Sequence, residues 1–241
     1  LLYSVNLKCS DPDACNYNQD GSCSYAKQYY KCSGSVDFGS NIGSGSGNYY
    51  EIWTVHHLIE IAKRINGGDS DLASSTFKLM QDIDCSESTY FNDGSGDGLS
   101  DASQNGNFNK LDNVGEIISI GTVGTEFSGI FDGNNFTVKD FLIYTHNIKD
   151  VTVCNGLFGI TNYSAEIKNV KIEHCQIYNG DFLGGFVGVN KGTIENCHIS
   201  QMQIIGYDLD TSTQTVQTTG VGGFAGFNYG GTIKDSSLSL I

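Results

Sequence analysis

The 241 residues include a single proline, Pro12, and a single tryptophan, Trp53. So little proline leaves the backbone almost its full set of N–H donors, as extensive strand pairing requires. Positive charge is also scarce: 13 Lys and Arg stand against 27 Asp and Glu, a formal charge of −14. With no Lys/Arg cluster, a phosphate backbone would be repelled, which excludes nucleic acid as a partner class. No apolar run approaches the roughly 18 to 20 residues that a membrane helix needs, so no membrane span is expected. A charged leader is missing as well, and the abrupt Leu1-Leu2 reads as the start of a mature form.

Glycine, by contrast, is abundant at 31 residues. It accompanies an internal repeat. Val138, Phe141, Ile143, His146 and Ile148 are followed by Ile167, Val170, Ile172, Cys175 and Ile177, then by Ile194, Cys197, Ile199, Met202 and Ile204. The series closes on Ile233, Ser236, Leu238 and Ile241. Steps of two are strand alternation, and steps of three mark corners where the inward face changes phase. Stacked units of this length bury what no single unit buries alone, which predicts an all-β solenoid with each unit as one coil. One amphipathic helix precedes it, Thr54 to Asn66, with Thr54 as cap, Leu58, Ile61, Ala62 and Ile65 as its apolar stripe, and Gly67-Gly68 as its stop. It is expected to cover the first layer.

Cys9, Cys15, Cys23 and Cys32 crowd into a polar, turn-rich stretch that cannot build a core. Two disulfides in any of three connectivities are the expected staple, since the spacings lack the close pairs of a zinc site. An oxidising compartment follows, hence secretion or the cell surface. Residues 1–8 read as a strand with Tyr3, Val5 and Leu7 alternating, 9–32 as the disulfide module, and 33–49 as a Gly/Ser linker. Cys85, Cys154, Cys175 and Cys197 read as buried small hydrophobes, with a Cys175–Cys197 or Cys154–Cys175 bridge left open.

A second ladder runs through Gly156-Leu157-Phe158-Gly159, Gly185-Phe186-Val187-Gly188 and Gly223-Phe224-Ala225-Gly226. These boxes resemble the GLUG repeat of bacterial surface proteins. The order Phe77 to Asp84, then Ile120-Gly121, then Phe127 to Asn135 is similar to the region that precedes such repeats. The resemblance covers about residues 50–241 and implies a right-handed parallel β-helix of the kind found in adhesins, surface proteins and some metallopeptidases. Peptidase chemistry there belongs to a separate HExxH segment, and His56-His57-Leu58-Ile59-Glu60 has the wrong order, so that activity is not implied. Ala14 to Asn18 with Asp20 to Cys23 also resembles a short extracellular cysteine module.

Candidate chemistry is sparse. Asp82, Asp84 and Asp132 are the candidates for paired glycosidase carboxylates, but their glycine-rich turns favour bonds to backbone amides. His174-Cys175 and Cys197-His198 offer only one ligand per face, because adjacent strand residues point opposite ways. Asn16, Asn18 and Asp20, or Asp93, Asp97 and Asp101, are weak calcium candidates without a bidentate twelfth ligand. Otherwise no cofactor or metal is expected. Asn135 and Asn162 head glycosylation sequons. Ser119, Thr122, Asn169, Thr193 and Asn196 suit a scaffold better than a catalytic groove. The expectation is a non-catalytic extracellular structural or adhesive protein that polymerises, with surface glycans as possible partners. Its contact would join Leu238, Leu240 and Ile241 to the Tyr3/Val5/Leu7 strand. The alternative is a carbohydrate-active enzyme or carbohydrate-binding module on the same scaffold.

Overall fold

The computed structural model describes residues 49–87, 114–145, 152–206 and 218–239. The expected strand over 1–8, the cysteine module, most of the linker, both calcium candidates, His146 and Ile148 lie outside those residues, as do Leu240 and Ile241.

Four parallel sheets hold the named strands of the described residues. The first runs Tyr50–Ile52, Thr76–Leu79, Ile130–Asp132, Glu166–Lys168, Thr193–Glu195 and Thr232–Lys234. The second is built of longer strands: Ile83–Asp84, Thr137–Tyr144, Lys171–Tyr178, His198–Ile205 and Ser237–Ser239, with Gly115–Ile117 also pairing with Thr137–Tyr144. The third comprises Cys154–Asn155, Phe182–Gly184 and Gly220–Gly222, and the fourth Phe158–Ile160, Val187–Asn190 and Ala225–Asn228. From Ile130 onward the chain visits the sheets in that order and returns to the first one layer along, whereas the strands before it enter only the first two sheets.

Register explains the spacing of the repeat. Ile167 lies beside Ile194, and Ile194 beside Ile233. Ile172 pairs with Ile199 and Cys175 with Met202. Each three-residue step contains a left-handed residue: Asn169, Asn196 and Asp235 at the first corner, and Asp140, His174 and Gln201 within the long strands, all with φ between 50° and 58°. One residue in that conformation turns the chain without a full loop, so the following apolar side chain points inward again.

The first unit departs from the expected register. Val138 pairs with Ile172, not with Ile167, and Phe131 takes the Ile167 position. Two extra residues at the Gly133–Phe136 corner, where Asn134 and Asn135 both have positive φ, cause the shift. Four apolar residues spaced like a repeat therefore concealed a longer corner.

The interior is one continuous core cluster running from Ile52 to Ile199. Val170 and Ile199 are fully buried, whereas Leu238, in the same column as Ile199, is 41% exposed because no described layer covers it. Aromatic rings fill the earlier layers: Phe127 meets Phe158 at 5.0 Å, and Phe131 meets Phe158 edge-on at 5.2 Å.

Helix α1, Val55–Asn66, is capped by Thr54, whose extended backbone presents its hydroxyl to the His57 amide at 3.4 Å. Leu58, Ile61, Ala62 and Ile65 are buried as the periodicity predicts. Gly67 stays right-handed and Gly68, with φ of 97°, makes the turn. A second short helix, α2 (Ser70–Ala73), follows, capped by Asp69; its single turn is too short for periodicity to reveal.

The left-handed column yields a test. Gln201 is exposed in that conformation, so Gln201→Gly should change stability by less than about 1 kcal/mol, while Gln201→Val should cost about 1–2 kcal/mol. Urea unfolding midpoints of the two variants check this.

Candidate functional site

The Gly-Leu-Phe-Gly-type boxes occupy the corners between the third and fourth sheets. Leu157 and Phe186 turn into the core, and Phe186 stacks on Phe224 at 5.6 Å with the rings 9° from parallel. Their glycines are demanded by contact between layers. A Cβ on Gly185 would strike the carbonyl oxygen of Gly223, the residue stacked next to it, and would also meet the Ile199 and Met202 side chains. The box is therefore a packing device.

Polar side chains form ladders across the layers. Asn196 donates to Asn169 at 2.7 Å, and Asn169 donates to Asp132 at 3.0 Å. Inside the fourth-sheet corner, Thr161 donates to Asn190 at 2.9 Å, and Asn190 donates to Asn228 at 2.9 Å. Thr161 and Asn190 are fully buried, so this bonding is what makes their burial tolerable. A recurrent Asn at one repeat offset is the signal that finds the first ladder in the sequence.

The outer face of the first sheet carries a charged column. Following the register from strand to strand gives Glu51, Lys78, Asp132, Lys168, Glu195 and Lys234, alternating in sign throughout. Lys234 meets Glu195 at 2.9 Å. Opposite charges on adjacent strands favour this pairing over any with like charges opposed.

The candidate carboxylates hold the structure together. Asp82 accepts from the Thr137 amide at 2.8 Å, and Asp132 from the Asn134 amide at 2.8 Å. Asp84 accepts from Ser86 and from Lys139, the latter at 2.8 Å. Burial pushes the Asp84 carboxyl up, but the bonds from Lys139 and Ser86 outweigh it and leave it below the ordinary range. Lys139 also meets Asp140 at 2.8 Å, and Asp140 meets the His174 ring at 2.6 Å. The bonds that Lys139 donates to the two aspartates hold its ammonium protonated well beyond the usual range. This four-residue outer cluster depends on the left-handed turns at Asp140 and His174, which sequence spacing alone did not expose.

His174 and Cys175 do face opposite sides: the imidazole reaches Asp140 while the thiol is fully buried. His198 bonds Ser237 at 2.8 Å, and the Cys197 thiol donates to the Glu195 carbonyl at 3.3 Å. Among the described residues no group of three or more His, Cys, Asp or Glu could hold a metal ion. Cys85, Cys154, Cys175 and Cys197 are buried free thiols, so neither bridge left open by the sequence is formed. The expected disulfide residues Cys9, Cys15, Cys23 and Cys32 lie outside the described residues.

Of the sequon residues, Asn135 is exposed at its corner with φ of 65°. Asn162 is half-buried, and its amide donates to Glu126 at 2.9 Å. The last described layer exposes Val221, Phe227, Tyr229, Ile233 and Leu238, from 38% to 57% of each. No helix among the described residues is long and apolar enough to cross a membrane.

Residues 217–239 match the family described as the GLUG motif, covering the last box and the last strands of the first two sheets. Over 196 residues the chain is 27% identical to halomucin of Haloquadratum walsbyi, a match that spans 80% of this chain and 2% of that relative. The chain thus corresponds to about one-fiftieth of halomucin's length. No solved structure matches. Together the likenesses support a GLUG-containing, surface-type protein.

The thiols set a pH limit. Burial pushes Cys154 and Cys175 up to about 12 and Cys197 up to about 11, and raises Cys85 well above its ordinary value. An unfolded thiol ionises near pH ~8.5, so above that pH the unfolded chain releases protons that the folded chain retains. Stability should be unaffected by these groups below pH ~8.5 and should fall from there to about pH 12. Urea midpoints measured from pH 8 to 10.5 should decline, and Cys175→Ala should make the decline shallower.

Proposed function

We propose that the chain is a non-catalytic extracellular structural or adhesive protein, wound as a right-handed parallel β-helix, whose copies associate end to end. The observation that carries this reading is the stacking itself: the described strands pair in parallel with their counterparts in the next layer, so each sheet lengthens by the addition of like strands. A parallel strand edge with apolar neighbours is a template for another strand.

Charge complementarity supports a second copy as the occupant. The column on the first sheet starts at anionic Glu51 and reaches cationic Lys234. Setting Tyr50–Ile52 of a second copy on Thr232–Lys234 would continue the sign alternation, the parallel direction and the inward column. Such a contact is heterologous and propagates as a filament. Tyr3, Val5, Leu7, Leu240 and Ile241, which the sequence assigns to the junction, lie outside the described residues.

A non-catalytic role is supported by the carboxylates, which are engaged in turns and ladders. The GLUG motif and the likeness to halomucin support an extracellular or cell-surface setting. Where the source glycosylates, Asn135 is the acceptor we favour. It is exposed at a corner, whereas the Asn162 amide is tied to Glu126.

Sedimentation velocity and negative-stain imaging of the purified chain test the assembly. Linear assemblies are expected at low salt. Lys234→Glu or Glu51→Lys alone should dissolve them, and the two together should restore them. Deleting residues 1–8 should shorten the fibres, and unchanged fibres would remove those residues from the junction. Chains that stay monomeric at every concentration would overturn end-to-end association.

A further inference from the structure

We propose that the outer face of the first sheet binds the same face of a second copy, side by side and antiparallel. Two columns of side chains make up this face. One is the alternating series Glu51, Lys78, Asp132, Lys168, Glu195 and Lys234. Beside it run Thr76, Ile130, Glu166, Thr193 and Thr232, mostly short side chains that leave the face flat.

Alternation over successive strands makes the charged column complementary to its own reverse. Laid on itself in the same direction and at the same height, it would oppose equal charges in every layer. Turned end for end about a two-fold axis along the strand direction, it sets Glu51 against Lys234 of the second copy, Lys78 against Glu195 and Asp132 against Lys168. The axis repeats each contact, so all six layers are matched. Thr76 then lies over Thr193. A slip of one layer, about 4.8 Å, turns every match into a clash. Such an interface is isologous and closes at two copies, unlike end-to-end stacking.

The charged groups are held ready for this contact. Lys234 is tied to Glu195 at 2.9 Å and Lys168 to Glu166 at 2.6 Å, and between 30% and 48% of each of these side chains is exposed. Asp132 accepts from the Asn134 amide and the Asn169 side chain through Oδ1, which leaves Oδ2 for a partner. An ammonium has three donors, so each lysine also keeps capacity for a bond across the interface. Exposed ion pairs are individually weak and screened by salt. Register therefore comes from the whole column acting together, and the dimer belongs to concentrated protein at low ionic strength. The contact uses the side of the stack, not its end, and does not depend on end-to-end association.

A mixture of light and heavy-nitrogen-labelled chains at millimolar concentration should be joined with a zero-length carbodiimide, and the bridged peptides read by mass spectrometry. Lys78 and Glu195 lie three strand spacings apart in one chain, roughly 14 Å, and equally far apart across an end-to-end junction. A light–heavy amide between them is therefore expected from the antiparallel face alone, whereas Glu51–Lys234 arises from either contact. The Lys78–Glu195 product should form at an ionic strength of ~0.01 M and fall tenfold or more at ~1 M, where screening acts within ~3 Å. Lys168→Gln removes two of the six cross-contacts and should lower the yield several-fold without moving the thermal midpoint. The product should persist in chains that form no fibres. The proposal is overturned if that amide is absent at low ionic strength, if light–heavy bridges are confined to Glu51–Lys234, or if salt leaves the yield unchanged.

Discussion

Hydrogen bonding between parallel strands of successive layers is the constraint on which everything else rests. In a parallel pair each residue sits beside its counterpart, about 4.8 Å away, so like positions stack on like. A side chain in this molecule is therefore judged chiefly by what stands above and below it. Apolar columns close the interior, asparagines stack at the corners, and the layered glycines leave room for backbone to meet backbone. A column works only when every member agrees, and this explains why one insertion at Gly133–Phe136 shifts the chain without disturbing the strands on either side.

The same rule distinguishes buried polar groups from functional ones. Thr161, Asn190 and Gln176 are fully buried, and each is bonded to a neighbour in an adjacent layer. Asp84, Asp132 and His174, which in isolation resemble reactive groups, are likewise bonded along the stack. Residues at the edges of this order differ in kind. Tyr163 stands out into solvent, and Phe227 and Leu238 lie where the columns are uncovered.

Much of this was legible in the sequence because the repeat is short and its apolar residues recur at fixed offsets. The helix from Thr54, the inward set around Ile172 and Ile199, and the corner role of the Gly-Phe boxes all follow from periodicity and residue size. The phase of the first unit was not legible. Val138, Phe141 and Ile143 mimic the spacing of a repeat start, and only strand pairing shows that they belong to its second half. The Asp84–Lys139–Asp140–His174 cluster was hidden for a related reason. It needs left-handed residues that are not glycine; Asp and His are enriched in that conformation, but most of them do not adopt it, so their identity alone does not mark the turn. The row formed by Glu126, Asn162 and Lys191 brings together residues up to 65 positions apart, beyond any local pattern.

The alternating column on the first sheet has a consequence for how such a chain grows by duplication. Excising the layer that carries Lys168 would set Asp132 against Glu195, and copying any one layer would likewise oppose two equal charges. Two adjacent layers gained or lost together leave the sequence of signs intact. Electrostatics thus imposes a parity on this architecture: its length is free to change by pairs of turns, while an odd step must be accompanied by a compensating charge reversal.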